Sequence, residues 1–104
     1  MKIAVPTSDR YKVFERTGHA TFYAVFTIEQ SNITHIDFRE NPLQVHTGGE
    51  HSYKEMVTLL HDCDLILVQK IGKSVVAELT TAGIQYKITK VSLIGEAIHQ
   101  YLSG

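Results

Sequence analysis

A chain of 104 residues with 43% hydrophobic content is one domain's worth of sequence and can bury a core without disulfides or a structural metal. Its formal net charge of −1 and pI near 6.6 leave no basic footprint for nucleic acid, and the single Cys63 excludes an intrachain disulfide or a thiolate zinc site. No apolar run approaches the roughly eighteen residues of a membrane span, and Lys2-Ile3-Ala4-Val5-Pro6 is too short for a signal region, so a soluble cytoplasmic protein is expected.

Lys2 to Val5 read as a first strand that Pro6 should end, because proline cannot donate to a ladder. Thr7 to Ala20 form a long polar connection closing on Thr17-Gly18-His19, of a length that often carries function in a small domain. Thr21 to Glu29 read as the longest strand, with Phe22, Ala24, Phe26 and Ile28 on one face and Tyr23, Val25 and Thr27 on the other. Both faces are largely apolar, which places this strand inside the sheet. Gln30-Ser31-Asn32 should turn, with Asn32 taking the positive φ of a hairpin. In Ile33 to Glu40, Ile36 and Phe38 alternate with His35, Asp37 and Arg39, the pattern of an edge strand with one wet face.

Asn41 to His51 contain Pro42, His46, Gly48 and Gly49 and form a second long loop. Ser52 and Glu55 make a capping box for a helix whose inner face is Tyr53, Met56, Val57, Leu60 and Cys63. At that spacing Cys63 reads as a small buried hydrophobe, and His61 and Asp62 lie off the face. Leu65 to Gln69 then form a short strand, Lys70-Ile71-Gly72 a tight turn, and Val75, Val76, Leu79 and Ala82 a helix that Gly83 stops. Gly72-Lys73-Ser74 is not the end of a phosphate-binding P-loop, because position 67, where that motif needs its first glycine, is Leu67. Ile84 to Ile88 form the last strand. Ser92 should cap a final helix carrying Leu93, Ile94, Ala97, Ile98, Tyr101 and Leu102 on one side.

The element order β, β, β, α, β, α, β, α and right-handed crossovers give a sheet order 3-2-1-4-5 with strand 2 antiparallel. The order reverses between strands 1 and 4, so Thr7-Ser8-Asp9 should lie beside Lys70-Ile71-Gly72 below the two long loops, where α/β sheets bind ligands.

In this arrangement, Met1 to Asp9, Gly18 to Tyr23, Arg39-Glu40-Asn41-Pro42, the His46 to His51 loop, Ile71-Gly72, Ala82-Gly83-Ile84 and Glu96 to Leu102 together resemble the dinitrogenase iron–molybdenum cofactor biosynthesis family, of the NifX and NifB C-terminal-domain type. The ordered set spans almost the whole chain, residues 1–104, as one domain. The resemblance implies an α/β, ribonuclease H-like fold and a binding protein that holds iron–sulfur or molybdenum-containing cofactors during cluster assembly. The chain departs from the family pattern at Arg16-Thr17-Gly18, where His-Phe-Gly is frequent, in a central loop poorer in glycine and histidine, and at Gln69-Lys70, where a glycine is frequent.

A preassembled anionic cluster needs backbone N–H donors, a helix N-terminus, some positive charge and at most one imidazole. Gly18, Gly48, Gly49 and Gly72 allow close backbone approach, Lys70 and Lys73 supply charge, and His19, His46 and His51 offer nitrogen; His46 and His51 are the candidate metal ligands. Thr7, Ser8, Asp9 and Ile71 complete the expected cofactor site. The expected partners are a metal cluster and the assembly or acceptor proteins that exchange it. A two-metal nuclease is the rival enzyme, but Lys2 to Val5 and Leu65 to Gln69 carry no acid. A module binding an anionic small molecule, with no metal, is the second reading.

Overall fold

Alternation of apolar residues builds the sheet, and the computed structural model describes it over residues 1–42 and 53–104. The strands are Lys2–Thr7 (β1), Phe22–Glu29 (β2), Asn32–Glu40 (β3), Leu65–Val68 (β4) and Gln85–Ile88 (β5), and the helices are Lys54–Leu59 (α1), Lys73–Ala82 (α2) and Ile94–Ser103 (α3). They form one mixed sheet in the order β3-β2-β1-β4-β5, in which β2 runs antiparallel to both neighbours and β1, β4 and β5 are parallel. The order and the direction of strand 2 match the sequence reading.

Each face of the sheet carries its own core. Tyr23 and Val25 of β2 pack with Ala4, Ile66 and Val68 beneath α1 and α2, which contribute Met56, Val57, Leu60, Val75 and Leu79. Ala24, Phe26 and Ile28 point the other way and join Ile3, Val5, Leu65 and Leu67 beneath Ile94, Ala97 and Ile98 of α3. Two-sided burial is what the near-continuous apolar runs of β1, β2 and β4 require.

Several local expectations are corrected. Pro6 does not end β1: the strand continues to Thr7, with Pro6 opposite Tyr23. Met1 and Ile28 each donate an N–H to the other's carbonyl, at 3.1 and 2.7 Å. Antiparallel alternation from that pair turns Pro6 away from β2, and the pairing of β1 with β4 covers only Ile3 and Ala4, so no partner needs the missing N–H. The β2–β3 turn has its positive φ at Gln30 (53°) and Ser31 (67°), not at Asn32, which already belongs to β3. A two-residue loop with both φ positive matches the twist of the strands it joins. Ser92 does not cap α3: its carbonyl accepts the Val13 N–H at 2.8 Å, and Leu93 occupies the cap position. The fourth strand stops at Val68, one residue early, and the Gln69 amide instead donates to the Val91 carbonyl at 3.2 Å. Gly83 does end α2, in the left-handed conformation at φ 76°. Ser52 lies outside the described residues; α1 is first helical at Lys54.

Asp62, read as uninvolved, is a junction. Its two oxygens accept from the Arg39 guanidinium at 2.7 and 2.9 Å, and Lys2 Nζ donates to the second at 2.9 Å. Arg39 also donates to the Leu59 carbonyl at 2.9 Å. The network ties β3 and β1 to the α1–β4 connection. It holds the Asp62 carboxyl well below the usual carboxylate range, through the Arg39 hydrogen bonds first and Lys2 second. Beside it, burial pushes the Cys63 thiol up to about 12, with the Asp62 charge adding to the shift. Cys63 should therefore be inert to a disulfide reagent at pH 8 in the native protein and react fully once unfolded, a contrast read by absorbance of the released thiolate. Fast native labelling would contradict this burial.

Candidate functional site

The site grows from the connection between β4 and α2. Leaving the sheet at Val68, the chain passes Lys70, which forms an isolated parallel bridge with Arg16. Thr17 Oγ1 donates to the Lys70 carbonyl at 2.5 Å. This couples the β4–α2 turn to the short 3-10 turn Thr17–His19.

That turn is itself pinned from below. The buried Tyr23 hydroxyl donates to the Thr17 carbonyl at 2.7 Å, and desolvation pushes its pKa above the ordinary phenol value. The buried Asn41 amide donates to the Gly18 and Ala20 carbonyls at 3.1 and 2.8 Å. Three separate parts of the chain, β2, the end of β3 and the β4–α2 turn, thus fix one three-residue segment. Gly18 is required there for a packing reason: a Cβ at this position would run into the Tyr53 ring at the start of α1. Gly18→Ala is expected to displace Tyr53 and cost about 1–3 kcal/mol, as overpacking does. Denaturant unfolding would measure the loss, and quenching of Tyr53 fluorescence in a variant series would report the ring's movement.

Between the Thr17–His19 turn and the N-terminus of α2 lies a cavity of about 410 Å³. Its rim carries the cations Arg16, Lys70 and Lys73, with His19 beside them, and no carboxylate is among its described lining residues. Gly72 occupies the cap position of α2 without a capping side chain, so the first N–H groups of the helix have no intrahelical partner, and they belong to Lys73, Ser74 and Val75, which line the cavity. Glu15 stands just outside, its carboxylate accepting from Lys70 Nζ at 2.5 Å, and that contact lowers its pKa. Both side chains are more than half exposed, so an incoming anion can exchange with Glu15 at small energetic cost.

Of the sequence-selected residues, Gly18, His19, Lys70, Ile71 and Gly72 meet at this cavity. Thr7, Ser8 and Asp9 do not line it. The Thr7 hydroxyl accepts the Arg10 N–H at 3.0 Å, and Ser8 Oγ accepts the Thr21 N–H at 3.4 Å. The Asp9 carboxylate accepts from the Tyr11 and Lys12 N–H groups at 2.9 and 2.8 Å, and these bonds lower its pKa. These three side chains shape the loop in which Arg10 takes a φ of 74°. His46, Gly48, Gly49 and His51 lie outside the described residues. Arg16, Thr17, Tyr53 and Ser74 are additions. Arg16 and Thr17 carried a signal only as a departure from the family pattern, and Tyr53 read as a core residue. Among the described residues, no three His, Cys, Asp or Glu side chains converge as a metal-ion site. The arrangement suits a bulky anion better than a bare cation.

A family model described as "Dinitrogenase iron-molybdenum cofactor" matches residues 1–104. No protein of curated function matches the sequence significantly. Among solved structures the chain is similar to PH0822 (TM-score 0.84, 17% identity, covering 100% of this chain and 92% of that one). It is also similar to the apo form of the orange protein from Desulfovibrio gigas (0.79, 19%, covering 99% and 88%). A candidate dinitrogenase from Methanocaldococcus jannaschii gives 0.78 at 12% identity, covering 100% and 89%. At such identities these likenesses establish a shared fold.

Proposed function

This chain belongs to the dinitrogenase iron-molybdenum cofactor family, and from that premise we propose that it is a non-catalytic carrier for an anionic iron–sulfur or molybdenum-containing cluster, or its precursor, in cluster biosynthesis. The observation that carries the reading is the cavity rimmed by Arg16, Lys70 and Lys73 at the open N-terminus of α2, without a carboxylate among its described lining. A metal–sulfur cluster brings most of its own ligands as sulfide, so the protein's share is charge neutralisation, N–H donation and shape. His19 lies at the cavity, and His46 and His51 are the imidazole donors of this reading. In it, residues 1–104 act as one domain of ribonuclease H-like architecture, in the cytoplasm, exchanging the cluster with assembly or acceptor proteins. Among the described residues, no helix is long and apolar enough to cross a membrane.

The test is a visible spectrum with metal analysis, on protein isolated without oxygen and on protein offered an iron–sulfur or thiomolybdate cluster. Stoichiometric uptake with visible absorption is the expected result, weakened by His46→Ala or His51→Ala if either imidazole ligates. Protein that stays colourless and metal-free after being offered clusters, yet takes up a phosphate or carboxylate compound at the same cavity, overturns the carrier reading in favour of a small-anion module.

A further inference from the structure

The two edges of the sheet are built differently. β5 is four residues long and carries Lys87, and a short edge strand with a lysine resists pairing with another sheet. β3 is nine residues long, contains neither lysine nor proline, and has three half-exposed apolar side chains, Ile33 (45%), Ile36 (48%) and Phe38 (38%).

A β-bulge keeps those three together. Thr27 pairs with His35 but Ile28 pairs with Ile33, so Thr34 is an extra residue. Without it, Ile33 would face the same side as His35 and Asp37; with it, Ile33 joins Ile36 and Phe38 on the α3 side of the sheet. The same alternation that starts at the Met1–Ile28 pair turns the backbone groups of His35, Asp37 and Arg39 toward β2. Ile36 and Phe38 therefore present their N–H and C=O groups to the open edge.

From this edge we infer that a second copy of the chain pairs with β3, antiparallel, about a two-fold axis through Ile36. Ile36 is the midpoint of Asn32–Glu40, so this register gives the greatest overlap of the two strands. It sets Ile36 against the partner subunit's Ile36, and His35 and Asp37 against the partner subunit's Asp37 and His35, which makes two complementary pairs by symmetry. Shifting the pairing by one ladder step in either direction sets Asp37 or His35 against its own counterpart, which the register about Ile36 avoids. The Ile36 pair lies clear of the bulge, which His35 borders. The formal net charge of −1 offers little general repulsion to such a pairing. The product is a continuous ten-stranded sheet. The cavity near Arg16, Lys70 and Lys73 takes no part in it, so the inference is independent of the carrier reading.

Sedimentation velocity on the purified full chain across a concentration series tests it. The wild type should populate a species of twice the 11.7 kDa chain mass. Ile36→Lys, which places two ammonium groups on the axis, should be monomeric while keeping native circular dichroism. His35→Asp should weaken the dimer at least tenfold, and adding Asp37→His to it should restore the dimer, because the exchange re-creates both complementary pairs. Amide exchange at Ile36 and Phe38 should slow in the dimer. A wild-type chain still monomeric at about 1 mM, or a dimer indifferent to Ile36→Lys, or one that the double exchange fails to restore, overturns the proposal.

Discussion

Replacing Lys70 and Lys73 together by glutamate is expected to reduce cluster uptake by at least about a hundredfold while leaving the fold intact. A hydrogen bond to a charged group contributes about 1.5–3 kcal/mol when its loss is measured, and each 1.4 kcal/mol is about a factor of ten in affinity. Two such contacts, replaced by like charges beside the helix start, account for the estimate. Lys70 is 75% exposed and its ammonium pairs with the exposed Glu15, so the folded state loses little. Titration of the variant with a thiomolybdate or iron–sulfur cluster, followed by visible absorbance, measures the effect. Uptake equal to that of the wild type would place the cluster away from this cavity. Glu15→Gln should act in the opposite sense, because it frees Lys70 Nζ and removes a negative charge from the rim.

Asp62→Asn should be the more damaging change for stability, by about 2–3 kcal/mol at pH 7. A surface ion pair contributes at most about 1 kcal/mol, but breaking a buried pair costs about 3–5 kcal/mol. Asp62 and Arg39 fall between these limits at 29% and 19% side-chain exposure. Removing the carboxylate leaves Arg39 without its bidentate partner and Lys2 without its acceptor. The pH dependence follows from the direction of the shift. The folded-state pKa of Asp62 lies below the ordinary value of 3.8, so the unfolded chain binds the proton first as pH falls. The stabilisation is therefore complete above the unfolded value and is lost progressively below about pH 4. Denaturant midpoints of wild type and Asp62→Asn should be well separated at pH 7 and should converge in acid. A gap that persists at the lowest attainable pH would mean the carboxylate charge is not the source.

The likeness of this chain to the orange protein and to PH0822 extends over nearly the whole fold, but at 17–19% identity it fixes architecture alone. In this chain Arg16 and Lys70 both bring positive charge to one opening.

The amino-acid sequence by itself determined the architecture. Strand order, the antiparallel direction of strand 2, the edge position of β3 and the glycine stop of α2 all follow from local periodicity, turn chemistry and crossover handedness, none of which needs a distant contact. Cys63 is buried as its apolar character suggested, but not through helical spacing: α1 ends at Leu59, and Cys63 lies in the connection to β4. Half of the cavity was legible too, because Gly18, His19 and Lys70-Ile71-Gly72 stand at strand ends that the topology brings together.

Only the tertiary structure decided the rest. Thr7, Ser8 and Asp9 look like ligand-binding residues in sequence, but Thr7 and Asp9 accept N–H groups of their own loop and Ser8 accepts from Thr21 just before β2. Tyr53 joins the cavity because it packs on Gly18, thirty-five positions earlier in the chain, and Asp62 becomes a junction through Arg39 and Lys2. Pro6 stays in its strand because β4 leaves that side unpaired, and Ser92 is tied to Val13 through its carbonyl while Leu93 takes the cap position. For Tyr53, Asp62, Pro6 and Ser92, a group with several available partners is assigned to one of them by residues far away in the chain. Local pattern lists the partners a group could take; packing chooses among them.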